Sequence, residues 1–217
     1  MRHRKLVISV VIIILFGVMT AILYHFNYIP HRKFINADFG IENYTSMNDR
    51  DRDGIDDQSD ILLSAREYLA TNPKYKSKYY AMGYPDDNYG VCTDVVAFAL
   101  RGAGYDLMEL VDADIRSNQD VYGLEIVDKM IDFRRVGNLQ KYFERHAEAL
   151  TTDLAQIAEW QGGDIVVFNT HIGVVSDKRN RHGVPFILHH ANPWQRDYEE
   201  DVLEYRQGWI TGHFRIK

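Results

Sequence analysis

Cysteine occurs once in 217 residues, at Cys92. This excludes an intramolecular disulfide framework and any zinc site built on several thiolates. An excess of positive charge is also missing: the formal net charge is −6. That argues against a nucleic-acid binder working through bulk electrostatics. Acidic residues are absent from positions 1–34, which carry Arg2, Arg4, Lys5, Arg32 and Lys33. Setting those five aside leaves 20 basic against 31 acidic side chains, so the chain has two physically different regions. Residues 35–217 show no internal repeat or low-complexity tract. With 46% hydrophobic and 26% charged residues, the composition is that of a folded domain rather than a disordered chain.

Leu6 to Tyr24 reads LVISVVIIILFGVMTAILY, without a charge and without a polar face. As a helix it spans roughly 28 Å, close to the hydrocarbon thickness of a bilayer. Tyr24, His25, Phe26 and Tyr28 suit the interface, and Pro30 marks the exit. A cleaved signal peptide is the rival reading, but its apolar core is shorter and ends in small residues, whereas bulky residues follow Ala21 here. Three basic residues before the span against two after it favour a cytoplasmic N-terminus. The expected organisation is a cytoplasmic segment 1–5, a membrane anchor 6–26, a linker 27–46, an Asp-rich loop 47–60 and an extracytoplasmic domain 61–217.

Residues 48–60 read NDRDRDGIDDQSD. Counting Asp49 as position 1 puts Asp51, Asp53, Asp57 and Asp60 at positions 3, 5, 9 and 12. Gly54 falls at 6 and the Ile55 carbonyl at 7. That is the ligand spacing of a calcium loop. The segment resembles the loops of thrombospondin type 3 repeats and dockerins, which implies Ca2+ as a structural cofactor. The competing reading is a solvated acidic linker. Ile61, Leu62, Ala65, Tyr68 and Leu69 then follow helical spacing up to Asn72-Pro73, with Asp60 or Ser59 expected as N-cap.

Tyr84 to Gly104 reads YPDDNYGVCTDVVAFALRGAG. Val95, Val96, Ala99, Leu100 and Ala103 recur at helical spacing after a turn-rich loop. Cys92 thus falls in the first turn of a buried helix, where the dipole and free N–H groups favour thiolate. The same N–H groups suit half of an oxyanion hole. The alternative is a small buried hydrophobe. Leu107, Leu110, Val111 and Ile115 keep helical spacing before an irregular stretch to Asp132, and Asn138 to Ala149 reads as a further helix. Strands follow at 164–168, 171–176, 184–189 and 209–216, with 177–183 as a polar hairpin loop. Helices first and an antiparallel meander afterwards make an α+β fold. His171 opens one central strand and His189 closes the next, so both fall near one end of the sheet.

Gly-Val-Cys-Thr-Asp-Val-Val, Gly-Gly-Asp-Ile-Val-Val-Phe, His-Ile-Gly-Val-Val-Ser-Asp and Ile-Leu-His, in that order, resemble the NlpC-type papain-like cysteine hydrolases of bacterial cell walls. Residues 59–217 more closely resemble an uncharacterised bacterial domain family, number 1287 in the domain-of-unknown-function series. That pattern runs through Gly90–Asp94, Asp132–Val136, Asn138-Leu139, His171–Gly173 and Ile210–His213. The NlpC resemblance implies a papain-like fold with Cys92 as nucleophile, His171 as general base and His189 as the residue that orients it. It also implies a tyrosine near the thiol, for which Tyr84 and Tyr89 are candidates. His190 and Asn192 rival His189, because a one-residue register change reverses the facing side. Where the NlpC group has Asp-Cys-Ser-Gly, this chain has Val91-Cys92-Thr93-Asp94, so Asp94 either caps or orients a neighbour, or opposes thiolate formation.

The resulting expectation is a membrane-anchored cysteine hydrolase acting on peptidoglycan peptides. The alternatives are acyl transfer on the same fold and a non-catalytic wall- or partner-binding module with Cys92 merely buried. A zinc site of Cys92, His171 and His189 is a fourth option.

Overall fold

The computed structural model of the chain describes residues 2–217. It divides into two compact units, residues 1–32 and 33–217. The first unit is built on helix α1 (Arg2–His25), which is long and apolar enough to cross a membrane. Its apolar side chains from Leu6 to Leu23 are largely exposed. Past the helix the His31 ring stacks on Tyr24 at 3.9 Å and its Nε2 donates to the Tyr24 carbonyl at 2.7 Å.

The second unit is α+β. Its helices are α2 (Asp57–Ala70), α3 (Cys92–Gly102), α4 (Leu107–Ser117), α5 (Gln119–Tyr122), α6 (Lys129–Asp132), α7 (Val136–His146) and α8 (Leu203–Arg206). Strands β1 (Lys74–Tyr75) and β2 (Tyr89–Gly90) pair in parallel. The remaining strands are β3 (Glu148–Ala149), β4 (Ile165–Phe168), β5 (His171–Arg179), β6 (Pro185–Leu188), β7 (Glu199–Glu200) and β8 (Ile210–Arg215). They form one antiparallel sheet in the order β3-β8-β4-β5-β6-β7.

Alternation along the strands divides the core. Ile165, Val167, Ile172, Val174 and Phe214 face the cluster formed with α2, α3, α4 and α7. Val166, Phe168, Val175 and Ile187 face a second cluster with Trp160, Val202 and Leu203. Both faces are therefore covered, which explains why β4 reads as a continuous apolar run rather than an alternating one.

Three boundaries differ from the sequence reading. Helix α2 begins at Asp57, because the Asp56 carboxylate accepts the Ser46 and Ser59 N–H groups and serves as N-cap in place of Asp60 or Ser59. Strand β5 continues through the expected hairpin loop to Arg179. Arg179 is fully buried, and its guanidinium donates to Asn36 Oδ1 and to the carbonyls of Ile157, Trp160 and Gly183. Burial lowers its pKa to about 10, opposed by the Asp164 charge. Phe34 pairs with the Arg179 backbone, so residues 33–46 pack onto the unit through Phe34 and Asn36. Finally, the helix read at 138–149 spans 136–146, because Glu148 and Ala149 pair with β8.

Asp94 settles the start of α3. Its carboxylate accepts the Val91 N–H at 2.8 Å and a two-pronged bond from Arg134, at 2.5 and 2.9 Å. Both charged side chains are almost fully buried. Cutting such a pair on one side leaves an uncompensated buried charge, at a cost of about 3–5 kcal/mol. Asp94→Ala is therefore expected to lower the thermal midpoint of the full chain by roughly 6 °C or more. An unchanged midpoint in calorimetry contradicts a structural role for this pair.

Candidate functional site

The site forms where the first turn of α3 meets the end of β5. Cys92 is half-buried against the helical core, and desolvation raises the pKa of its thiol to about 11. The N–H groups of Ile172 and Thr93 point at the sulfur and pull the other way, while Asp94 adds to the rise. The structure thus reverses the thiolate expected from the helix start alone: desolvation outweighs the dipole and the N–H donors. Among the described residues, no hydrogen bond joins Sγ to an imidazole.

Ile172, which touches the sulfur through its N–H, is the residue after His171. In the β5–β6 ladder Val174 stands opposite Leu188, which puts Gly173 opposite His189. A Cβ at Gly173 would come within 3.2 Å of the His189 Cβ and 3.0 Å of the Leu188 carbonyl. The glycine of the His-Ile-Gly motif is what lets the two strands and the second histidine approach so closely. His171 and His189 then share a face, and His171 Nε2 lies 2.7 Å from His189 Nδ1. On its far side His189 Nε2 lies 3.0 Å from a carboxylate oxygen of Glu200, on β7.

These contacts fix a proton order. An ionised carboxylate only accepts, so the His189 Nε2 carries a hydrogen. Burial lowers the pKa of His189 to about 3, aided by Arg206 and His190, so the ring is neutral and its Nδ1 is bare. His171 Nε2 must then donate to that nitrogen. Burial first, then His189, Arg206 and His190, holds His171 well below the ordinary histidine value. Its ring is also neutral, which leaves His171 Nδ1 as the basic atom of the chain. Glu200 thus sets the tautomer of one imidazole directly and of the next through it.

The other candidates fall in different places. Tyr84 is buried beside Phe98 and Phe133, and its hydroxyl donates to Asp106, the N-cap of α4. It serves the helical core. Tyr89 lies on β2, with the ammonium groups of Lys76 and Lys78 over its ring. Burial raises the pKa of Tyr75, and the Cys92 charge raises it further. Tyr75 escapes sequence reasoning because it sits 17 residues before Cys92, and the short β1–β2 pairing brings it beside Tyr89 on one cleft. Glu200 escapes it because an irregular loop precedes β7.

His190 is buried between the rings of Tyr75 and Tyr198, and burial alone lowers its pKa to about 4. Asn192 accepts the Trp194 N–H through its side chain and shapes the loop after β6. Both line a cleft of about 390 Å³ together with Tyr75, Tyr89, Gln195 and Tyr198. Of the Asp-rich loop, Asp49, Asp51 and Asp53 hold carboxylate oxygens within 4.8 Å of one another. Among the described residues, no other His, Cys, Asp and Glu side chains form such a group, so Cys92, His171 and His189 do not converge as zinc ligands. Asp57 turns away from the three, accepting the Arg50 N–H at 2.7 Å and the Tyr105 hydroxyl at 2.5 Å.

Residues 62–216 match the family described as Domain of unknown function (DUF1287). The chain is also similar to the uncharacterized protein YijF of Escherichia coli (strain K12), at 36% identity over 169 residues, which is 71% of this chain and 80% of that protein. The matched segment contains the thiol, both strand histidines, Tyr75 and Glu200, and the chain belongs to the DUF1287 family.

Proposed function

We propose that this protein is a membrane-anchored cysteine hydrolase of papain-like, NlpC type, which cleaves amide bonds in the peptide part of peptidoglycan. The observation that supports this most strongly is the hydrogen-bonded series His171–His189–Glu200. It leaves a bare nitrogen on His171, the neighbour of the residue whose N–H touches the Cys92 sulfur. A structural histidine pair has no need of that polarity.

In this reading Cys92 Sγ attacks the amide carbonyl while its proton passes to His171 Nδ1. The resting pair is neutral, so the imidazolium forms only as the sulfur attacks. His189 and Glu200 stabilise it through the bond at Nε2. The backbone N–H groups at the start of α3 supply donors for the charge that collects on the carbonyl oxygen. His171 returns the proton to the departing amine, and water then cleaves the thioester, with His171 again taking a proton. Substrate enters by the cleft beside His190 and Asn192. The wall is favoured as target because three basic residues before α1 against two after it support a cytoplasmic N-terminus, with the domain on the opposite side of the membrane.

The test uses the full chain in detergent with purified peptidoglycan, reading released peptides by mass spectrometry. Wild type is expected to release fragments and Cys92→Ala to release none. His171→Ala should slow release by at least about 100-fold. Glu200→Gln should lower kcat by roughly tenfold with KM little changed, because the base survives but its tautomer is no longer enforced. Full release by the Cys92→Ala protein contradicts the proposal.

The pH profile is a second test. Burial lowers the His171 pKa, so the neutral base persists below the ordinary histidine range. The acid limb of kcat/KM should therefore fall below about 6.5. An acid limb at or above that value contradicts the neutral pair.

A further inference from the structure

The cleft lined by Tyr75, Tyr89, His190 and Asn192 is built by hydrogen bonds of its own. Asn192 Oδ1 accepts the Trp194 N–H, and the Gln195 side chain accepts the Ala191 N–H and donates to the His189 carbonyl. The Tyr198 hydroxyl donates to the Pro73 carbonyl at 3.0 Å, which ties the start of β7 to the segment before β1. These bonds hold the wall in shape, and the atoms that make them are not free for a ligand.

Other groups of the cleft are uncommitted. Lys74 is exposed, and its ammonium has no ion-pair partner among the described residues. Neither the Tyr75 nor the Tyr89 hydroxyl has a hydrogen-bond partner among the described residues. His190 is 2% exposed and stands edge-to-face between Tyr75 and Tyr198, each ring centroid at 5.2 Å. Its buried Nδ1 has no hydrogen-bond partner. A buried polar atom left unpaired is costly, and a ligand is one way to satisfy it. Burial lowers the His190 pKa to about 4, so the ring is neutral and its one hydrogen can sit on Nδ1. Every uncommitted group can therefore donate, and no Asp or Glu lines the cleft. That runs against the composition of residues 35–217, with 31 acidic against 20 basic side chains. Lys76 adds a second ammonium, 5.3 Å from the Tyr89 ring centroid and likewise without an ion-pair partner among the described residues.

We propose that this cleft binds a peptide by its free carboxylate, with Lys74 and Lys76 as counter-ions and Tyr75, Tyr89 and His190 as hydrogen-bond donors. A carboxylate only accepts, so it matches a set of donors and cations, and charge-assisted bonds of this kind are the strong ones. A small shift of the Tyr75 ring gives the peptide access to His190 Nδ1, which thereby gains its missing partner. A volume of about 390 Å³ takes the end of a short peptide. The inference rests on the hydrolase reading for the cleft being the substrate's path, and it names the substrate class: wall peptides whose free carboxylate lies a few residues from the bond cleaved. Carboxylate binding itself needs no cleavage.

Binding is read by calorimetry on the full chain carrying Cys92→Ala, in detergent, so that no peptide is turned over. The probes are acetyl-trialanine peptides of L- or of D-residues, each as the free acid and as the C-terminal amide. At least one free acid is expected to bind about tenfold more tightly than its amide. Lys74→Met should remove most of that preference, and Lys74→Met with Lys76→Met all of it, in proteins with an unchanged thermal midpoint. His190→Phe keeps a ring between the two tyrosines and should weaken the acid at least about threefold. Equal affinity for acid and amide, no binding of any acid up to about 10 mM, or a preference that survives the double substitution overturns the proposal. The two readings fail separately. Peptide release from peptidoglycan by wild type without a carboxylate preference overturns the carboxylate site alone. A carboxylate preference without any release overturns the hydrolase reading alone.

Discussion

Helix α3 lies buried across β5, and this contact determines where the reactive groups go. Val95, Val96, Ala99 and Leu100 are almost wholly excluded from solvent, against Ile172 and Val174 of the strand. Each buried Val or Leu side chain contributes roughly 1.5–3 kcal/mol, so the helix has little freedom to roll or slide. Its first turn is fixed separately, by Asp94 reaching back to Val91 and across to Arg134. The consequence is a half-buried thiol that the Ile172 N–H acts on. The same burial that positions the thiol also raises its pKa. In the proposed reaction the sulfur therefore depends on a base supplied at the moment of attack rather than on a standing thiolate.

The proposed base, His171, meets His189 by strand register alone. Strand alternation and the hairpin between His171 and His189 were readable in the sequence, because a two-residue period and a single turn connect them. Glu200 was not readable: β7 is two residues long and follows a loop with no periodic pattern. The same reason hid Tyr75, on a two-residue strand that pairs in parallel with β2. Sequence proximity to Cys92 favoured Tyr84 and Tyr89; Tyr84 enters the helical core, while Tyr89 lines the same cleft as Tyr75. Arg179 was hidden by its charge, which reads as loop. In the fold it is a buried cation satisfied by carbonyl oxygens and Asn36. The cap of α2 was misplaced because Asp56, Asp57, Ser59 and Asp60 compete for it in sequence. Only the backbone shows which carboxylate meets the free N–H groups.

Family membership and the anchor-length helix frame the chemistry without dictating it. The DUF1287 match begins at residue 62 and spans most of the helices and the sheet. The cleft beside Tyr75 and His190 is polar and aromatic, a surface suited to peptide and amide groups.

The central claim is the proton order from Glu200 to His171, and nitrogen-15 NMR of the two rings measures it directly. In the full chain, labelled at histidine and held in detergent at neutral pH, His171 and His189 are both expected to be neutral. Each should carry its hydrogen on Nε2, with His171 Nδ1 bare, and Glu200→Leu should abolish the preference in both rings. A protonated His171 Nδ1, or rings whose tautomers ignore the loss of Glu200, would contradict the account.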